Sequence, residues 1–127
     1  MKIKKFNESN EILYKEIDFE DVMEMDEVEK LSNRESEQII SIFPKENIVS
    51  TQYGHLNTWV EIYYEVKSNL GSYKSDVVVR VQSLGDSWYI VTIEKLSPNY
   101  RIEERIKWFK CDDIVGIKQL LTDRRII

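Results

Sequence analysis

The chain of 127 residues has one cysteine and one histidine, Cys111 and His55. A single cysteine excludes an internal disulfide, and one Cys with one His cannot form a structural zinc site. Only 4 glycines and 2 prolines occur. That leaves no long flexible linker, and we expect one domain over 1–127. No apolar run approaches the ~18 residues of a membrane span. No apolar core follows the basic start Met1-Lys2-Ile3-Lys4-Lys5, so it does not read as a secretory signal. With no membrane association expected, the expected compartment is the cytoplasm, where a lone thiol stays reduced. The chain also lacks Gly-x-Ser-x-Gly, Walker-type and dinucleotide glycine patterns. No internal repeat or low-complexity segment is present.

What is present suits a globular fold. Hydrophobic residues make up 42% and charged residues 32%, which excludes a disordered tail. Net charge is −5, and it is unevenly placed. Residues 1–52 carry 13 acids against 7 bases, whereas residues 53–127 carry 10 acids against 11 bases. Glu16, Asp18, Glu20, Asp21, Glu24, Asp26, Glu27 and Glu29 form a stretch with no base among residues 16–29. Such a stretch repels phosphate and disfavours nucleic acid. It reads as a solvated face, or as a docking face for a basic partner.

The N-terminal half reads as helical and irregular. Ile12 to Ile17 fits a short strand or the start of a helix. Phe19, Val22, Met23 and Met25 give a weak helical spacing. Ser32-Asn33-Arg34-Glu35 has the form of a capping box, in which each side chain satisfies the other's free backbone N–H. Ile39, Ile40 and Phe43 follow as an apolar stripe, and Pro44 forbids continuation, so a helix is expected over 33–43.

From residue 58 the pattern switches to alternation. Val60, Ile62, Tyr64 and Val66 share one face, with Trp59, Glu61, Tyr63, Glu65 and Lys67 on the other. A turn is expected at Asn69-Leu70-Gly71-Ser72. A second strand, Asp76 to Ser83, carries Val77, Val79 and Val81 on one face and Val78, Arg80 and Gln82 on the other. After a turn at Leu84-Gly85-Asp86-Ser87, Trp88 to Glu94 forms a third strand. It turns inward either Tyr89, Val91 and Ile93 or Trp88, Ile90 and Thr92. Ser97-Pro98-Asn99 ends it. Ile102 to Lys110 is the fourth strand, with Ile106, Trp108 and Lys110 on one face and Arg105, Lys107 and Phe109 on the other. Asp112 then caps a helix through its side chain. Ile114, Ile117, Leu120 and Leu121 give that helix one apolar face.

The expected fold is therefore α+β. An antiparallel sheet of about four strands, a meander over residues 58–110, is packed by a C-terminal helix at 113–122 and by one or two N-terminal helices.

For chemistry the reading is spare. Asp112 and Asp113 oppose activation of the Cys111 thiol while a helix N-terminus favours it, with His55 the available base; the reading adopted is a small buried cysteine at a strand end. The acidic stretch lacks a calcium-loop pattern. Glu103-Glu104 and Asp112-Asp113 are paired carboxylates, but sequence neighbours do not face one cleft. Basic residues from Arg101 to Arg125 flank Trp108 and Phe109, yet the intervening acids dilute any nucleic-acid patch. No catalytic, cofactor or metal site is expected. Trp59, Tyr63 and Tyr100 are candidates for an exposed aromatic surface of the type used in protein interfaces, or for cross-strand packing.

Three segments carry a resemblance. They are Lys4-Lys5-Phe6-Asn7-Glu8, Gly85-Asp86-Ser87-Trp88-Tyr89-Ile90-Val91, and the stretch from Trp108 to Leu121 with its Phe109-Lys110-Cys111-Asp112 start and Gly116-to-Leu121 end. Together they resemble small uncharacterised accessory proteins of tailed bacteriophages. The resemblance implies a phage-type accessory protein and no catalytic residues.

The leading expectation is a non-enzymatic protein-binding domain contacting a host, defence or virion protein, with Glu20, Asp21, Glu24, Glu27, Trp59 and Tyr63 as partner-binding residues. A second expectation is an immunity protein that neutralises a basic toxin by charge complementarity. A third is a cone-shaped domain enclosing a pocket with His55, Tyr64 or Arg80 turned inward, for a small molecule or a reaction.

Overall fold

The computed structural model describes residues 13–23, 29–67, 74–85, 88–96 and 106–127. In chain order the elements are β1 (Tyr14–Ile17), α1 (Phe19–Met23), α2 (Asn33–Ser41), β2 (Ile48–Tyr53), β3 (Trp59–Lys67), β4 (Lys74–Gly85), β5 (Trp88–Lys95), β6 (Ile106–Asp112) and α3 (Asp113–Asp123). Short 3-10 turns at Lys45–Asn47 and His55–Asn57 flank β2. The strands form one antiparallel sheet in the order β1-β6-β5-β4-β3-β2. The fold is α+β, as expected.

The strand number is a correction: among the described residues the sheet has six strands rather than about four. The two additions are its edges. β1 resolves the ambiguity at residues 12–17 in favour of a strand, which pairs Tyr14 with Cys111 and Ile17 with Trp108. β2 has no alternation in sequence because its side chains from Val49 to Tyr53 are all exposed. A strand without a buried face carries no period-2 imprint.

The inner face follows the valine alternation. Val60, Ile62 and Tyr64 of β3, Val77, Val79 and Val81 of β4, Tyr89, Val91 and Ile93 of β5, and Phe109 and Cys111 of β6 are all buried in one core. The choice left open for β5 falls to Tyr89, Val91 and Ile93, because Val91 lies opposite Val81 and Phe109. On β6 the inward residues are Phe109 and Cys111, and Trp108 faces outward opposite Thr92. Ile39 and Phe43 from α2 and its exit, and Ile117, Leu120 and Leu121 from α3, fill the space above the sheet. Each fully buried side chain of this size contributes about 1.5–3 kcal/mol. Tyr64 is thus inward but packed against Phe43, ring centroids 5.3 Å apart. Arg80 points to the opposite face and is exposed, which corrects the expectation of an inward Arg80.

Both helix termini are informative. Ser32 Oγ accepts from the Glu35 N–H and Glu35 Oε1 accepts from the Ser32 N–H, both at 3.0 Å, so the expected capping box is formed. α2 ends at Ser41, two residues before the expected 43. At α3 the expected cap by Asp112 is not made. Asp112 is instead the last residue of β6, and Asp113 makes the corner with φ 58°. Its Oδ1 accepts from the Ile114 N–H at 2.7 Å. Asp tolerates this left-handed conformation better than most residues, so strand passes into helix with no connecting loop. α3 runs to Asp123, one residue past the expected 122.

α3 also holds β1. The Leu13 N–H donates to Gln119 Oε1 at 3.2 Å, and the Asp112 N–H donates to the Leu13 carbonyl at 2.8 Å. Tyr14 OH donates to Asp123 Oδ2 at 2.6 Å. This bond raises the Tyr14 pKa above the ordinary phenol value.

The expected turns at 69–72 and 97–99, and residues Asp86, Ser87 and 102–105, lie outside the described residues. So do residues 4–8 of the phage-type resemblance and the pair Glu103-Glu104.

Candidate functional site

The outer face of the sheet carries a cluster of aromatic and charged side chains. Trp59, Glu61 and Tyr63 alternate with the buried residues of β3 and so share this face. Antiparallel register sets Arg80 of β4 directly opposite Glu61. The Glu61 carboxylate gathers three donors. Arg80 Nη2 lies 3.0 Å and Nε 3.1 Å from Oε1. The Trp59 indole N–H donates to the same oxygen at 3.1 Å, and Tyr63 OH reaches Oε2 at a long 3.5 Å. The Arg80 guanidinium also lies 5.9 Å from the Trp59 ring centre.

Exposure is graded across this cluster. The Glu61 side chain is 13% exposed and that of Arg80 44%. The anchor is therefore largely covered while the cation reaches solvent. Trp59 and Tyr63 are half-buried. The Trp59 ring is held by its hydrogen bond to the Glu61 carboxylate, so little of its rotamer freedom remains to be lost on contact with another molecule.

Gly54 sets the position of Trp59. Its N–H donates to the Trp59 carbonyl at 2.8 Å. A Cβ at Gly54 would sit 2.0 Å from the Trp59 ring, so the indole lies flush on bare backbone. The next residues, Leu56 and Asn57, both have positive φ, 55° and 59°. Leu56 is 62% exposed in this turn.

A second aromatic–cation pair occupies the same face. The Lys110 ammonium lies 4.6 Å from the Trp88 ring centre. Lys110 is opposite Ile90, Ile90 is opposite Gln82, and Gln82 is opposite Trp59. One cross-strand row therefore runs Trp59, Gln82, Ile90, Lys110.

The six residues expected to bind a partner are not all placed together. Trp59 and Tyr63 are brought together by Glu61. Glu20 and Asp21 are exposed on the five-residue helix α1. Asp21 Oδ2 accepts from the Asp18 N–H at 3.2 Å. Helix α1 follows β1, and β6, β5 and β4 stand between β1 and β3 in the sheet. Glu24 and Glu27 lie outside the described residues.

Sequence reading missed Glu61, Arg80, Trp88 and Lys110 as members of one surface. A signal for the first two was available. Glu61 and Arg80 are symmetric about Leu70–Gly71, the centre of the expected turn, and a hairpin centred there must oppose them. Lys110 and Trp88 carry no comparable signal, because the register of β5 with β6 depends on residues far from any short turn.

Cys111 and Tyr89 lie inside the core and offer no exposed chemistry. Burial pushes the Cys111 thiol up to about 12, so it is neutral and hidden at ordinary pH. Burial, followed by the Glu35 contact, raises the Tyr89 pKa well above its usual value. Among the described residues no group of three His, Cys, Asp or Glu side chains is placed to hold a metal ion. Likewise, no helix among them is long and apolar enough to cross a membrane.

No protein-family model, curated protein or solved structure matches the chain.

Proposed function

We propose that this chain is a protein-binding domain and that its contact surface is the outer sheet face around Trp59, Tyr63 and Arg80. One observation carries the reading: a single largely covered carboxylate, Glu61, fixes an indole, a phenol and a guanidinium side by side at the surface. Tryptophan, tyrosine and arginine dominate the energetics of protein interfaces, the aromatics because they supply large contact area with few rotamers to freeze and arginine because it presents five donors in a planar fork. The inner face is occupied by the core and the outer face is itself covered at Val78 and Ile90, so the contacts are made where the outer face reaches solvent, around the exposed Arg80. The resemblance to tailed-phage accessory proteins points to a host, defence or virion protein as the partner. Exposed Glu20 and Asp21 add negative charge that favours a basic one.

The test is affinity capture with the full chain as bait, from cells infected by a tailed phage or from the native source, followed by mass spectrometry. A protein retained by the wild type, lost with Trp59→Ala and with Arg80→Ala, and weakened by Glu20→Lys with Asp21→Lys supports the reading. A protein retained equally by Trp59→Ala and Arg80→Ala overturns the outer face as the contact.

A further inference from the structure

The two edges of the sheet differ in kind. β1 is four residues long and carries Lys15 and Glu16, and α3 is bonded to its start at Leu13. Short, charged edges resist pairing with other chains. β2 is six residues long, Ile48-Val49-Ser50-Thr51-Gln52-Tyr53, with no charge and no proline. In a chain that is 32% charged, this edge strand carries a bulge at its Ile48 end but neither charge nor proline to blunt it. Its side chains from Val49 onward are exposed, Val49 at 63% and Tyr53 at 53%. Its one irregularity, between Ile48 and Ser50, lies at one end, and Ser50 to Tyr53 keep unbroken register with β3.

The pattern of β2 is symmetric. About Thr51 it reads apolar, polar, polar, polar, apolar. Thr51 and Tyr53 lie on the inner side of the sheet, opposite Ile62 and Val60, while Ser50 and Gln52 lie on the outer side, opposite Tyr63 and Glu61. A two-fold antiparallel pairing requires that opposed residues lie on the same side of the sheet and that each contact be reciprocal. Centring on Thr51 meets both conditions. Thr51 then opposes Thr51 of the second copy, and Ser50 opposes its Gln52. No like charges meet along the seam.

We infer that β2 is a self-pairing edge: two copies of this chain join β2 to β2 about a two-fold axis at Thr51, continuing the sheet from one copy into the other. The backbone N–H and C=O groups that β2 turns away from β3 are then satisfied in both copies. The contact is small, so the dimer is a concentration-dependent one. Pairing through the β2 edge does not cover the exposed Arg80 of β4, so the dimer is compatible with the partner surface around Trp59 and independent of it.

The experiment is sedimentation velocity on the full chain from about 10 to about 500 µM, the range in which small interfaces associate. The expected result is a monomer that converts to dimer as concentration rises. Thr51→Lys puts two ammonium groups against each other at the axis and should weaken the dimer by about tenfold or more. The same change reduces the magnitude of the net charge, which is −5 in the wild type, so the loss cannot come from general repulsion. Circular dichroism confirms that the variant is folded. In a second arm, Thr51→Cys should form an intermolecular disulfide under mild oxidation, because directly opposed Cα atoms in an antiparallel pair lie within disulfide range. Ser50→Cys, whose counterpart is Gln52, should not. The native Cys111 is buried and stays out of the reaction. A chain that is monomeric throughout the range overturns the inference. So does a dimer indifferent to Thr51→Lys, or one that cross-links as well through Ser50→Cys as through Thr51→Cys.

Discussion

Tyr89 of β5 and Glu35 of α2, 54 residues apart in sequence, are joined by a 2.6 Å hydrogen bond from the phenol to Glu35 Oε2. Glu35 Oε1 is already the acceptor of the capping box. One carboxylate therefore both starts the helix and ties it to the middle of the sheet.

Burial alone would raise the Glu35 pKa, but its hydrogen bonds with Ser32 and Tyr89 outweigh burial and hold it below the ordinary value. A carboxyl depressed in the folded state stabilises the fold at every pH above its unfolded value near 4.5 and loses that contribution as pH falls through the lower folded value. Tyr89→Phe removes a hydrogen bond to a charged group, a loss of about 1.5–3 kcal/mol at neutral pH. Urea unfolding at pH 7 and at pH 3 measures the gap between variant and wild type. The gap should shrink in acid, as Glu35 takes up a proton and the charged bond is lost. An equal gap at both pH values would show that the charged bond is not the source.

Gly116 lies inside α3, where alanine normally stabilises a helix by up to about 1 kcal/mol. Here a Cβ would approach the Leu13 carbonyl oxygen to 2.5 Å, and that carbonyl accepts the bond from Asp112. Gly116→Ala should therefore destabilise, by about 1–3 kcal/mol. Hydrogen exchange locates the effect. Protection should fall first in Tyr14–Ile17, because the clash separates β1 from α3. A more stable variant with unchanged exchange in β1 would refute the contact.

Gly54→Ala is the second steric test, and it bears on the candidate surface. The added methyl collides with the Trp59 ring, so the indole must swing out and its bond to Glu61 must break. The expected cost in stability is about 1–3 kcal/mol, the range for overpacking. Tryptophan emission should change relative to wild type, and the same substitution made in a Trp59→Phe background should leave it constant. Capture of a partner through the outer face should fall as it does for Trp59→Ala.

The sequence was most legible where burial repeats with a simple period. Val60, Ile62 and Tyr64, and Val77, Val79 and Val81, alternate because one side of each strand is covered, and their inward orientation follows directly. The Ser32–Glu35 box is equally local, since three residues of spacing bring both bonds into reach. Legibility failed at the two edges. β1 is too short to show a period, and β2 has no buried face to create one. It failed again at Asp112, where the choice between Asp112 and Asp113 as the corner depended on how far β6 extends beside β5.

The amino-acid order alone decided the class of fold, the faces of the central strands and the start of the second helix, because those depend on contacts between near neighbours and on covering apolar side chains. Only the three-dimensional arrangement decided that Trp59, Tyr63 and Arg80 meet on Glu61, that Tyr89 reaches Glu35, and that an uncharged strand ends the sheet. These are matters of register between distant segments, and a shift of one residue, invisible in local pattern, would send each side chain to the opposite side.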